Sequence, residues 1–549
     1  MKTFQITRWA AAATLLLAAM LSGCGRQESR VDIGNREQIL HLGNKAEPAE
    51  IDPHIVEGTG EHNIIMAMLE GLTTEDPKTL EPVPGVAERW EISDDGLRYT
   101  FFLRENARWS NGDRVTAQDF ANSYRRILTP SLASKYAYML YPIRNAKPFN
   151  DGAISDFAEV GVKAPEPGRL EITLEHPTSY FLNMTANHYT YWPVHLPTIE
   201  KHGDPYLRGN NWTRPGNFVG NGPFVLKEWK VNDVLKVVKS DTYWDRDSVR
   251  LQEINFYPIE SLDTEERAFR SGQLHITYEV PLSKIPEYRE KQPELLRIDD
   301  YLGTYLYRIN TTRPHFKDPR VRNALSLAVD RVAIVERITR GGQKPAYAMT
   351  PDNTRGYTSV TRTEHNPEKA RRLLADAGFP EGRDFPKIQI LFNTSEAHKS
   401  IAEAIQQMWK KELGIDAELV NQEWKVYLES EHKLDYETSR GGWIGDYPDP
   451  YTFLSTFASW SENNRTGWVN PAFDELLARS EATVDPDQRY QLLQQAEAIL
   501  IHDAPIIPIY QYTRVFLKHP AVKNWHPTFL DHHPYKYVYL EAETEVAAR

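Results

Sequence analysis

The chain has one cysteine, Cys24, in 549 residues, so its body is expected to fold without any disulfide. It has no excess of basic residues: 64 Lys and Arg against 76 Asp and Glu leave a formal charge of −12, the wrong sign for a protein that gains affinity by neutralising phosphates. No nucleic-acid partner is expected. Beyond the first residues no apolar run is long enough to span a bilayer, and there is neither a low-complexity tract nor a repeat. The HExxH, GxSxG, P-loop and dinucleotide fingerprints are missing, so no nucleotide, metal or other cofactor is expected and no catalytic residue is assigned. A hydrolase working with two carboxylates stays open, because such pairs are recognised by their distance in space. His526, Asp531, His532 and His533 do not read as a metal site, since adjacent histidines on a strand point to opposite sides and no second ligand group follows at the usual spacing.

A chain of this length exceeds the roughly 250–300 residues at which single cores stop growing, so two or three lobes are expected. The opening residues read as a targeting segment. Lys2 and Arg8 give a basic start, Trp9 to Met20 is apolar but too short to cross a membrane, and Leu21-Ser22-Gly23-Cys24 follows. This is similar to a bacterial lipoprotein signal over residues 1–23, with Cys24 as the lipid acceptor. The protein is then expected outside the cytoplasm, in the periplasm or at the cell surface, held to a membrane by acyl chains. Polar residues 24–38 read as a flexible stalk.

The body alternates strand and helix signals. Ile39 to Gly43 reads as a strand, and a helix is expected from about Asn63 to Leu69. Ala87 to Ser93 and Tyr99 to Leu103, joined by Asp94-Asp95-Gly96, read as an antiparallel pair. Thr116-Ala117-Gln118-Asp119 is a capping box. Asp318-Pro319, Asn366-Pro367, Asn470-Pro471 and Asp485-Pro486 each place an N-cap before proline at the first helical position, where no N–H is missed.

The most informative stretch is Ile388 to Phe457. Ile388 to Phe392 is a short apolar run, Ser395 is a cap, and Ile401, Ala404, Ile405, Met408 and Trp409 recur at helical spacing up to Gly414. Ile415 to Val420 completes a βαβ unit. Tyr436 to Trp443, carrying Arg440, reads as a further strand that ends in Gly445-Asp446-Tyr447-Pro448. Ligands of open α/β sheets sit beyond such strand ends, facing helix N-termini. His398 in the first helical turn, the helix amides and Arg440 are placed to receive an anionic group, and Asp446 a cationic one. A short peptide carries both. Taken singly, Asp446 also fits a turn acceptor, Arg440 an ion pair with Glu437 or Asp435, and His398 a solvated surface position; Trp212, Trp424 and Trp443 equally fit a core.

Pro84-Gly85-Val86-Ala87-Glu88-Arg89-Trp90, Trp109-Ser110-Asn111-Gly112, Thr116 to Phe120, Trp212 to Asn217 and Val420-Asn421-Gln422-Glu423-Trp424 resemble the periplasmic solute-binding proteins that deliver peptides or nickel to ABC transporters, the oligopeptide-binding group above all. The resemblance implies an α/β fold of two lobes, type II, with an appended third domain. Its expected division is 39–69, 198–302 and 513–549 for a discontinuous first lobe, 70–197 for the appended domain, and 303–512 for the second lobe. It implies a monomer that closes over a short peptide and docks on the permease subunits of an inner-membrane ABC importer. Asp446 matches the residue for the peptide ammonium, Arg440 and His398 those for the carboxylate; Glu57, Trp424 and Trp443 match residues lining the site. Glu431 departs from the pattern by standing where a typical member has arginine, and Gly303 and Ile444 stand where some members carry a cysteine pair. The same architecture could serve a murein peptide, a metal chelate or an oligosaccharide; a periplasmic hydrolase is the reading from another class.

Overall fold

The computed structural model describes residues 28–541, so the signal segment and Cys24 lie outside the described residues. Within them, residues 30–37 correct the expectation of a stalk. Ser29 and Asp32 cap each other's backbone amides reciprocally, the helix Arg30–Glu37 follows, and Val31, Gly34 and Asn35 are buried. Val31 N–H donates to Gly272 O at 2.9 Å and Gln38 Nε2 to Leu540 O at 2.7 Å, so both chain ends tie to one body. A polar composition had hidden a capped helix with one buried face.

Three sheets carry the architecture. The first has four strands in the order Ile39–Gly43, Glu253–Tyr257, Val234–Lys239, Phe224–Lys230; the first pair is parallel and the others antiparallel. Residues 224–257 thus return to the sheet that residue 39 opens. The second, wholly antiparallel, joins Ala87–Ile92, Arg98–Leu103, Arg169–Thr173 and Val162–Glu166. The expected capping box stands on its flank: Thr116 and Asp119 open the helix Ala117–Leu128. The third is mixed and has six strands: Lys344–Pro345, Ile506–Leu517, Leu296–Ile309, Thr438–Ile444, Ile388–Asn393, Ala417–Gln422.

The βαβ unit forms as its sequence pattern requires. Ser395 caps the helix Glu396–Leu413 and Gly414 ends it at φ 71°, a left-handed turn that favours glycine. Ile401, Ile405, Trp409 and Leu413 bury one face of that helix against Ile388 and Ile390. The helix expected from about Asn63 instead starts at Thr59 and runs to Met68, from a glycine N-cap that makes no side-chain bond.

The two longest strands, Leu296–Ile309 and Ile506–Leu517, pair antiparallel and pass from one body to the other. At one end of the pair, Leu296, Val515 and Leu517 pack with Phe269, Leu274 and Ile285; at the other, Ile309 and Ile507 pack with Ile334 and Ile390. Between these, the register shifts from Asp300 to Thr304.

Two buried histidines behind the first sheet make stability depend on acid. His275 accepts from His41 N–H at Nδ1 (3.1 Å) and meets Asn35 Oδ1 at Nε2 (3.2 Å), and the two rings stack 5.5 Å apart. Nδ1 already faces a donor, so a second ring proton has no acceptor there. Burial lowers His41 to about 4 and His275 to about 3. The unfolded chain takes up these protons near its ordinary value of about 6.5 while the folded chain does not, so stability is full above that value and falls as pH drops below it. The expected loss is on the order of 1 kcal/mol per pH unit per histidine until each folded value is passed. Urea midpoints between pH 7 and 4 check it, and a flat profile contradicts it.

Candidate ligand-binding cleft

The Thr438–Ile444 strand has one edge free where it matters. On one side it pairs with Gly303–Ile309 along its length; on the other the Ile388–Asn393 strand pairs only with Thr438 and Ser439. Past that point no strand among the described residues covers the second edge, and Gly442, Trp443, Ile444, Gly445 and Asp446 line a cavity of about 360 Å³. That volume lies in the roughly 300–1,000 Å³ range of ligand pockets. An exposed strand edge binds extended chains by main-chain hydrogen bonds. Gly303 and Ile444 face each other in register, where some family members carry the cysteine pair, and here the β ladder alone holds them.

Five Lys or Arg side chains line the cleft. Lys45 pairs with Glu279 at 3.1 Å, Arg514 with Asp531 at 2.5 Å, Arg308 with Glu431 at 2.9 Å, and Arg465 with Glu57 at 2.5 Å and Glu431 at 3.2 Å. Arg440 alone has no carboxylate partner among the described residues. It donates to Tyr512 Oη at 2.9 Å and Asn393 Oδ1 at 3.4 Å, lies 4.8 Å above the Tyr305 ring, and its buried Nε has no partner. Glu437 and Asp435 are turned elsewhere, to Gln389 N–H and Arg313. A half-buried guanidinium with a buried, unpartnered Nε and no counterion is costly unless a ligand supplies one.

His398 is buried, not solvated: its Nδ1 is 3.3 Å from Tyr305 Oη and its Nε2 has no partner. Burial, with Arg440 and Lys45 nearby, holds its pKa well below the usual value, so the ring is neutral and offers a hydrogen bond without charge.

Asp446 faces the cleft from the opposite end. Its Oδ2 accepts from Thr452 Oγ1 at 3.2 Å, its Oδ1 is 3.5 Å from His188 Nε2, and no lysine or arginine pairs with it among the described residues. Asn187 holds its carbonyl oxygen at 2.8 Å. Neighbouring Asp449 shows the contrast, because both its oxygens are taken by Arg489 at 2.8 Å.

Glu57 also lines the cleft, but Arg465 and His432 already hold it. Burial opposes its charge, yet the His432 hydrogen bond and Arg465 prevail and bring its pKa to about 2. Trp424 opens the helix Trp424–His432, which the sequence reading did not resolve, and stacks on Tyr427 at the cleft wall. Trp443 lies against Tyr136, with ring centres 6.3 Å apart. Trp212 does not line the cleft; it is core, bonded to Asp52 at 3.2 Å. His188, Asn187, Tyr136, Arg308, Arg465 and Tyr512 were not foreseen. They come from segments far apart in sequence, and no spacing rule links them to Asp446 or Arg440.

Residues 81–465 match the family described as bacterial extracellular solute-binding proteins, family 5. The chain is 37% identical over 534 residues to the periplasmic oligopeptide-binding protein OppA of Salmonella typhimurium, covering 95% of this chain and 96% of that one. Among solved structures, Haemophilus influenzae OppA in complex with RPPGFSPFR superposes with a TM-score of 0.86 at 33% identity, covering 92% of this chain and 99% of that one. The Escherichia coli murein tripeptide binding protein MppA gives 0.86 at 37% identity, over 92% of this chain and 98% of that one. The same protein in its unliganded open form gives only 0.64 at equal identity, over 92% and 97%. Sequence is constant between the last two, so lobe arrangement makes the difference. The lobes here stand as in the peptide complex and not as in the open form.

Proposed function

The chain belongs to family 5 of the bacterial extracellular solute-binding proteins, and from that premise we propose how it works. It is an exported binding protein that captures short peptides and delivers them to an ABC importer. The observation that carries the mechanism is the pair of charges left over in the cleft: after all internal pairing, Arg440 keeps no carboxylate and Asp446 no lysine or arginine among the described residues. A zwitterion lying along the free edge of Thr438–Ile444 supplies both. Its ammonium meets Asp446; its carboxylate meets Arg440, with the neutral His398 ring adding a hydrogen bond. Main-chain bonds to the strand edge serve every peptide alike, so neither end grip nor edge depends on sequence.

In this reading the first lobe comprises residues 39–69, 198–302 and the described part of 513–549, the appended domain 70–197, and the second lobe 303–512; residues 542–549 lie outside the described residues. Closure turns about the two long strands where the Asp300–Thr304 register shift interrupts the ladder, and about Thr513 opposite it. The protein acts as a monomer, held at the membrane by acyl chains on Cys24.

Denaturing the purified protein and identifying the released ligand by mass spectrometry tests this reading. Peptides with free termini are expected; a released oligosaccharide or metal chelate overturns it. The cleft performs no chemistry in this reading, so peptides incubated with the protein for hours should be recovered intact, and any cleavage would restore the hydrolase.

A further inference from the structure

Beside the two end grips, the cleft holds a buried ion network on one face of the ligand edge. On Thr438–Ile444, Ser439, Gly441 and Trp443 point to one side, and they pair in register with Arg308, Leu306 and Thr304. Arg440 points to the other. Gly441 is what lets Arg308 lie over the strand: a Cβ there would sit 2.2 Å from Arg308 Nη1.

Arg308 is 6% exposed and lines the cleft, yet among the described residues it makes one bond, from Nη1 to Glu431. Its buried Nε is unpartnered, and so is the Nε of Arg465, the second guanidinium on Glu431. A guanidinium has five N–H donors, so most of those on Arg308 are unspent. Buried donors in that state call for an acceptor. The two guanidiniums are matched in charge by Glu431 and Glu57, so what the network leaves over is hydrogen-bond donors on Arg308 and Arg465.

An extended ligand on this edge sends alternate side chains to the two faces. Resting on the peptide reading above, we propose that Arg308, backed by Arg465, selects an acidic side chain at one alternate position of the bound peptide, with Glu431 setting how much positive potential that position meets. The end grips then admit peptides in general, and the Arg308 face ranks them.

The test is calorimetry on pentaalanine and its single Glu and Gln substitutions at each internal position. At one position Glu should bind at least fivefold tighter than Gln, with no such gap at the positions next to it. Arg308→Met should erase the gap while pentaalanine still binds. Glu431→Gln should widen it, and this variant tests the idea from the opposite direction should Arg308→Met not fold. If pentaalanine binds but no position separates Glu from Gln, or if Glu431→Gln leaves the gap unchanged, the inference is overturned and the peptide reading stands. If pentaalanine and every substituted peptide fail to bind, the peptide reading falls and this inference falls with it.

Discussion

Asp446→Asn should weaken binding of a free-terminus tripeptide by about ten- to a hundredfold. Charge-assisted hydrogen bonds contribute roughly 1.5–3 kcal/mol each net, and every 1.4 kcal/mol is a tenfold change in affinity. The substitution keeps size and hydrogen-bonding atoms, so Thr452 and His188 retain a partner and the loop before Pro448 keeps its shape. Only the charge is lost. Acetylating the peptide should cost the native protein at least tenfold and cost the Asn variant much less, because the same interaction cannot be removed twice. Calorimetry on the four combinations isolates the coupling. Native affinity unchanged by acetylation would remove Asp446 from the role.

Asp52→Ala should cost about 3–5 kcal/mol of stability, the range for breaking a buried ion pair by removing one partner. Asp52 and Arg126 are both buried, and they pair through two bonds, Nη1–Oδ1 at 2.9 Å and Nη2–Oδ2 at 2.6 Å. Asp52 further accepts from His54 N–H at 3.0 Å and Trp212 Nε1 at 3.2 Å. The variant strands a guanidinium left with a bond from Nε to Pro205 O at 2.7 Å and a contact of Nη1 with His54 Nδ1 at 3.0 Å, neither of which supplies a counter-charge. The pair ties residue 52 to the helix Ala117–Leu128 and the 205–212 loop, so its loss should loosen that helix first. A drop in the urea midpoint with peptide affinity nearly kept, measured below the transition, is the expected pattern. A shift below about 1 kcal/mol would mean that the pair is not closed to water.

Fold and site were unequally legible. The Pro-capped helices and the βαβ unit formed where local patterns put them, because capping and hydrophobic spacing act over a few residues. The same locality explains the failures. Residues 30–37 read as stalk from their polarity, while the Ser29–Asp32 box that starts a helix there is a local signal outweighed by composition. The helix Trp424–His432 escaped because its cap is glutamate, bonded to Lys425 N–H at 2.9 Å, and not one of the usual short residues. The burial of His398 is not legible locally because Tyr305, which meets its ring, stands on a strand distant in sequence.

Asp446 and Arg440 were named from one stretch of chain because strand, loop and charge lie close together in it. Which cations stay free could not be read there. Lys45, Arg308, Arg465 and Arg514 are as basic as Arg440, and only the folded arrangement gives each of them a carboxylate and leaves Arg440 without one. Glu431, a departure from the family pattern in the sequence, gained meaning only beside two guanidiniums brought from residues 308 and 465.

The sequence by itself determined most of the elements and the family, and it offered the two charges proposed for the ligand's ends, since these depend on near neighbours and on composition. The tertiary structure decided which charges cancel, which strand edge stays open and which face carries a neutralised network, because electrostatic partnership follows distance in space and the partners come from segments the chain keeps far apart.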